Sequence, residues 1–206
     1  MKSKINFKNN PGISYNLFLT KDDGEPRLFH ELNEVTTIPQ NERKDPIYNI
    51  LEKNCDLKFC TIETSEDFNF ITLEHFVIFA TDSNGNCFGT IGGFGHINDK
   101  EYPVGYVTKD GKCGKIATFV KEFLELVNYY PYWLDVIEYR RKGEEYSTEL
   151  LEKKYSMNTD LYLENQKYIT NVLNLKKNEK SIDLLISNLK DDERFIVFSH
   201  RLENSL

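Results

Sequence analysis

The sequence predicts an α+β fold, with an antiparallel-rich central sheet made of β-hairpins, helices flanking it and a helical C-terminal extension. Three observations predict it. Between residues 76 and 117, short β-branched and aromatic runs alternate with Asn- and Gly-containing turns, the pattern of hairpins. Residues 119–127 then switch to helical spacing, and residues 146–190 carry three more apolar patterns of helical period. At 206 residues, with 39% hydrophobic and 29% charged positions, the chain is long enough to bury a sizeable core. A domain of ~150 residues already hides about 70% of the surface its unfolded chain exposes.

In chain order, residues 1–62 are turn-rich, broken by Asn9-Asn10-Pro11-Gly12 and Asp22-Asp23-Gly24, with short apolar runs such as Leu17-Phe18-Leu19 between them. One helix is expected here: Asp45 as N-cap, Pro46 at the first helical position, and Ile47, Ile50 and Leu51 on one face. Phe76–Ala80 reads as a buried strand, Asp82–Asn86 as a turn and Cys87–Ile91 as the returning strand. Val104–Thr108 and Cys113–Ala117 form a second hairpin about Lys109–Lys112, where Asp110-Gly111 supplies the positive backbone angles of a tight turn. Thr118 is the expected N-cap of a helix that lays Phe119, Val120, Phe123, Leu124 and Val127 on the sheet and stops before Pro131. The charged stretch Arg140–Glu145 reads as a linker, so the domain expectation is an α+β unit over 1–139 and a helical extension over 140–206 packed on it. Three helices follow. Leu150-Leu151 mark the first; Leu161, Tyr168, Ile169, Val172 and Leu173 the second; Ile182, Leu185, Ile186 and Leu189 the third. Phe195–Phe198 is too short a run to divide between strand and helix end.

Chemical motifs are scarce. The glycines of Gly89-Thr90-Ile91-Gly92-Gly93-Phe94-Gly95 do not open a helix, as a dinucleotide fingerprint does, and Gly111-Lys112 leads into Cys113 rather than Ser or Thr. A bent strand or bulge is the expected use of these glycines. The cysteines Cys55, Cys60, Cys87 and Cys113 and the histidines His30, His75, His96 and His200 lack the paired spacing of a zinc site. Free thiols are therefore expected, with Cys87 and Cys113 as small strand hydrophobes, and neither a metal nor a cofactor. No Gly-x-Ser-x-Gly elbow occurs, so no catalytic residue is assigned. The start Met1-Lys2-Ser3-Lys4-Ile5-Asn6 has no apolar run behind its lysines, and no ~18-residue apolar stretch suits a membrane span, so a soluble cytoplasmic protein is expected.

Charge distribution is more informative than total charge. The net charge is −7, yet residues 61–101 hold seven acids, Glu63, Glu66, Asp67, Glu74, Asp82, Asp99 and Glu101, against the single base Lys100. The rest of the chain is nearly balanced. Such a concentration repels nucleic acid and attracts a basic protein partner, or it is a solvated face that maintains solubility. A second contact candidate is the aromatic cluster Tyr129, Tyr130, Tyr132 and Trp133 about Pro131, which either anchors a partner or packs beneath the C-terminal helices.

Over residues 68–130 the chain resembles the SUKH superfamily, which contains the yeast cell-wall assembly regulator and many bacterial immunity proteins. The resemblance lies in the order of Phe79–Phe88, with its acidic-Asn-Gly turn, then the Pro-Val strand of Tyr102–Val107, then Ile116–Leu124, which runs from the second hairpin into the apolar helix. The family's early Leu-Pro segment has no match here, and residues 146–190 extend beyond its minimal domain. The resemblance implies a sheet flanked by helices, no catalytic residues and a binding role, commonly the neutralisation of a toxin from a neighbouring cell. The expected function is thus an immunity protein that binds a basic toxin domain. An intracellular scaffold or regulator of the same fold is the alternative, followed by an unrecognised enzyme.

Overall fold

The computed structural model describes residues 18–20, 26–28, 34–62, 68, 70–72, 74–92, 102–155, 160–190 and 195–199. Its centre is a mixed, mostly antiparallel sheet. The strands are β3 (Glu34–Val35), β4 (Lys58–Phe59), β6 (Phe76–Thr81), β7 (Cys87–Ile91), β8 (Val104–Val107) and β9 (Cys113–Ala117), in the order β3-β6-β7-β8-β9 with β4 also on β6. Only the β3–β6 pair is parallel among these. Two small ribbons stand apart from it: β1 (Phe18–Thr20) with β2 (Pro26–Leu28), and β5 (Phe70–Thr72) with β10 (Val197–Ser199).

The two expected hairpins form where their turn chemistry places them. Gly85 and Gly111 both have φ of 80°, which only glycine adopts freely, and each sits at its turn. In the β8–β9 turn the Lys112 amide donates to Thr108 Oγ1, and the hydroxyl donates in turn to the Lys112 carbonyl.

α1 (Pro46–Cys55) begins as its sequence dictates. Asp45 accepts a hydrogen bond from the Ile47 amide at 2.9 Å, Pro46 occupies the first turn, and Ile47 and Leu51 are buried. The helix ends at Asp56, in the left-handed region, and the Asp56 carboxylate receives the amide and hydroxyl of Ser83. One acid thus joins α1 to the β6–β7 turn.

α2 (Val120–Tyr129) stops before Pro131 but starts later than expected. Phe119, not Thr118, is the N-cap; its backbone is extended, and it offers no side-chain cap. Instead Glu122 reaches back to accept the Thr118 amide at 3.2 Å. Because Phe119 precedes the first helical residue it leaves the apolar stripe and is 36% exposed, whereas Phe123, Leu124 and Val127 are buried.

α3 (Trp133–Lys142) takes in the first half of the expected linker and leaves residues 143–147 as the connection to the next helix. Arg140, Arg141 and Lys142 form its last turn, where cations complement the negative helix end, and Gly143 at φ 67° closes it. The 139/140 boundary therefore falls inside a helix. The remaining helices, α4 (Thr148–Tyr155), α5 (Asp160–Val172) and α6 (Ser181–Lys190), match the three apolar patterns. The face of α6 matches, with Ile182, Leu185, Ile186 and Leu189 in or against the core, and that of α5 matches less well. Ile169 is buried, but Leu161, Tyr168 and Val172 are exposed, because α5 turns a different arc toward α1 and α2.

Strand alternation divides the interior into two cores. On one face Phe79, Phe88, Val104, Tyr106 and Ile116 pack against Phe123, Trp133, Ile137, Leu151, Ile169 and Leu185, so the C-terminal helices share a core with the sheet. On the other, Phe76, Ile78, Cys87, Ile91 and Val107 are covered by Phe195, leading into β10. The β6–β7 register shifts between Ile78 and Ala80, and this irregularity turns both Phe79 and Ala80 to the helical face.

Candidate protein interface

Strand directions bring the start of β3, the start of β6, the end of β7 and the start of β8 to one end of the sheet. Glu34 is opposite Val77 in parallel register, which sets it beside His75, and Glu34 Oε2 lies 2.8 Å from His75 Nε2. The His75 carbonyl accepts the Gly92 amide at 2.7 Å, and the Ile91 amide donates to the Pro103 carbonyl at 2.8 Å. Glu34, Glu74 and His75 are all exposed. The side chains here are thus two carboxylates and an imidazole that water reaches freely.

Of the acids singled out in the sequence, only Glu74 is described at this end. Glu63, Glu66, Asp67, Asp99 and Glu101 lie outside the described residues. Asp82 is elsewhere, in the β6–β7 turn at the opposite end, and it is buried to 8% exposure. Its Oδ1 accepts the amides of Asn84 and Asn86, and its Oδ2 accepts from Asn86 Nδ2 at 2.7 Å. The carboxylate is consumed by the turn it builds, an Asx arrangement that competes with any outside partner. Asp82 is therefore a turn-forming residue rather than a contact residue.

The aromatic cluster is likewise turned inward. Tyr130, Tyr132 and Trp133 are all below 5% exposed. Trp133 packs with its ring centroid 5.9 Å from Phe88 and 6.1 Å from Phe123. The Tyr130 hydroxyl donates to the Asn178 carbonyl and that of Tyr132 to Glu152 Oε1, and burial pushes the Tyr130 phenol up to about 12. Tyr129 is half-buried and shares a hydrogen bond with Thr170 Oγ1 at 2.9 Å. Tyr130, Tyr132 and Trp133 are thus core residues rather than contact residues, and Tyr129 alone of the four keeps part of its surface exposed.

Sequence inspection missed Glu34. It lies 41 residues before His75 in a charge-balanced stretch, and only the parallel β3–β6 pairing joins them. No local pattern announces a two-residue parallel strand.

The four cysteines are free. Burial pushes the Cys55 thiol up to about 12 and that of Cys60 to about 11, and it raises Cys87 as well. Among the described residues no three His, Cys, Asp or Glu side chains are grouped so as to hold a metal ion, and no helix is long and apolar enough to cross a membrane. What this surface can do chemically is present carboxylates to a cationic partner. No family model, no curated protein and no solved structure matches the chain.

Proposed function

We propose that the protein is a non-catalytic binding protein, an immunity protein of SUKH type that neutralises a toxin enzyme, a nuclease or another toxin, by direct binding in the cytoplasm. The observation that carries this reading is a coincidence: the stretch that resembles the family, residues 68–130, overlaps the stretch that holds nearly all the net charge, residues 61–101. Exposed Glu34 and Glu74 at one end of the sheet support it: Glu74 belongs to the acidic stretch, and the β3–β6 pairing brings Glu34 from outside that stretch to the same solvent-exposed end. An enzyme that handles phosphates offers a basic cleft, and carboxylates set against it speed encounter and block entry.

The test is association with the C-terminal domain of the protein encoded by the neighbouring gene, where a cognate toxin is expected. Wild type and a Glu34→Lys/Glu74→Lys variant are compared by stopped flow at low and high salt. Wild type is expected to associate about tenfold faster at low salt, with the variant slower and less sensitive to ionic strength. Equal rates and equal salt responses would remove the acidic end from the interface. Failure to bind the neighbouring domain at all would overturn the immunity reading itself.

A further inference from the structure

At the other end of the sheet, between the last turns of α3 and α6 and the edge strand β9, lies a cavity of about 280 Å³. Ile137, Ile186 and Leu189 give it an apolar floor, and Arg140, Arg141 and Lys190 line it with cations. Arg141 is held in place: its Nη2 donates to the Cys113 carbonyl at 3.0 Å, its guanidinium stands 5.2 Å from the Tyr106 ring centroid, and Glu138 is 3.8 Å away. Arg140 and Lys190 have no carboxylate of a described residue within ion-pair distance.

Bases at helix ends have an ordinary explanation, because each C-terminus carries about half a negative charge. Here the two ends face three lining cations, and Lys112 stands 3.8 Å from Glu138, the acid beside Arg141. Among the described residues the local balance stays positive. Asp191, Asp192 and Glu193 follow Lys190 in the sequence, so long-range steering is weak and selectivity rests on short-range pairing. The volume lies just under the ~300 Å³ at which pockets begin to take drug-sized ligands, which suits a molecule the size of one amino-acid residue.

We propose that this cavity binds a small carboxylate carried on an apolar stem, the stem against Ile137, Ile186 and Leu189 and the carboxylate between Arg140 and Lys190. The same chemistry is offered by a free acid and by the C-terminal residue of a peptide. The full-length chain is titrated with phenylpropionate, with N-acetyl-phenylalanine and with the neutral N-acetyl-phenylalaninamide, following the methyl resonances of Ile137, Ile186 and Leu189. Saturable shifts with either acid and none with the amide are expected; binding by only one of the two acids identifies the source. Arg140→Gln and Lys190→Gln, both at exposed positions, should each weaken acid binding by roughly tenfold, the scale of one charge-assisted hydrogen bond. If neither acid shifts these methyls, if the amide binds as well as the acids, or if both variants bind like wild type, the cations serve only the helix ends and the proposal fails.

Discussion

The two faces of the central sheet are built on different principles. The helical face is thick: Phe79, Phe88 and Tyr106 belong to one core with side chains from all six described helices, and Phe123 lies among Phe79, Phe88 and Trp133 with centroid distances of 5.4–6.1 Å. The other face is thin, closed by Phe195 and the β5–β10 ribbon, and it depends on missing side chains. Gly89 and Gly105 are register partners on neighbouring strands, and they leave a trough in which the Phe76 and Phe195 rings lie 5.0 Å apart. A Cβ at Gly89 would meet the Val77 carbonyl oxygen at 2.6 Å and the Phe76 ring at 2.7 Å; one at Gly105 would meet the Phe195 ring at 3.0 Å. One face is stabilised by filling space and the other by keeping it open.

The largest effect should come from the thick face. Phe123→Ala empties a fully buried position in the middle of the aromatic cluster and is expected to cost about 3–5 kcal/mol. Denaturant titration followed by Trp133 fluorescence measures it, since Trp133 is the chain's one tryptophan and touches Phe123. A loss under about 1 kcal/mol would mean the helical face does not hold the fold.

Phe195→Ala is the matching truncation on the thin face. Phe195 is 3% exposed, but the layer above it is a short ribbon that can settle into the gap, so a loss near the lower end, about 3 kcal/mol, is expected in the same titration. A loss equal to that of Phe123→Ala would erase the contrast between the faces.

Filling the trough should cost less and should discriminate between the two glycines. Gly89→Ala forces a methyl group against backbone and is expected to lose about 2–3 kcal/mol. Gly105→Ala presses only on side-chain tips of Phe195 and Ile91, which can give, so about 1 kcal/mol is expected. Equal losses, read from denaturation midpoints, would show that the Gly89 backbone can shift.

The same division explains what could be read from the sequence. The β6–β9 hairpins and α1 were legible because their signals are local: Gly at the turns, Asp45-Pro46 at the helix start, alternation along each strand. The thin face was not, because β5 and β10 pair across more than a hundred residues and each is only three residues long. Gly89 reads as part of a bend or bulge and Gly105 only as a strand residue, and their shared close-approach role becomes apparent only with Phe76 and Phe195 in place. Site residues failed for a related reason. Asp82 and Trp133 have the chemistry of contact residues, yet a turn and a core compete for that same chemistry, and the sequence does not show which prevails. The charged stretch Arg140–Glu145 reads as a linker throughout because composition alone cannot distinguish a linker from a charged helix end.

The smallest expected effect compares the faces through their thiols. Cys55 packs beside the helical core and Cys87 is buried in the thin one, and burial raises the thiol pKa in both. A thiol whose pKa is higher folded than unfolded contributes stability that is fully present below its unfolded value of 9.0 and is lost as pH rises toward the folded one, here about 12 for Cys55. Between pH 8 and 10, therefore, each thiol should draw about 1 kcal/mol from the wild-type stability, because only the unfolded chain ionises it. Cys55→Ala and Cys87→Ala each remove one such contribution, so each variant should lose about 1 kcal/mol less than wild type across that interval, whatever its own stability at pH 8. Tyrosines titrate too, and those away from the two thiols cancel in the differences; Tyr162, whose phenol is raised by burial and by Cys55, is the one that Cys55→Ala also touches. The comparison sharpens if the two variants diverge. Should Cys55→Ala flatten the alkaline loss while Cys87→Ala leaves it unchanged, Cys87 is ionising in a chain whose helical face is still folded, and the ribbon over the thin face opens on its own before the protein unfolds.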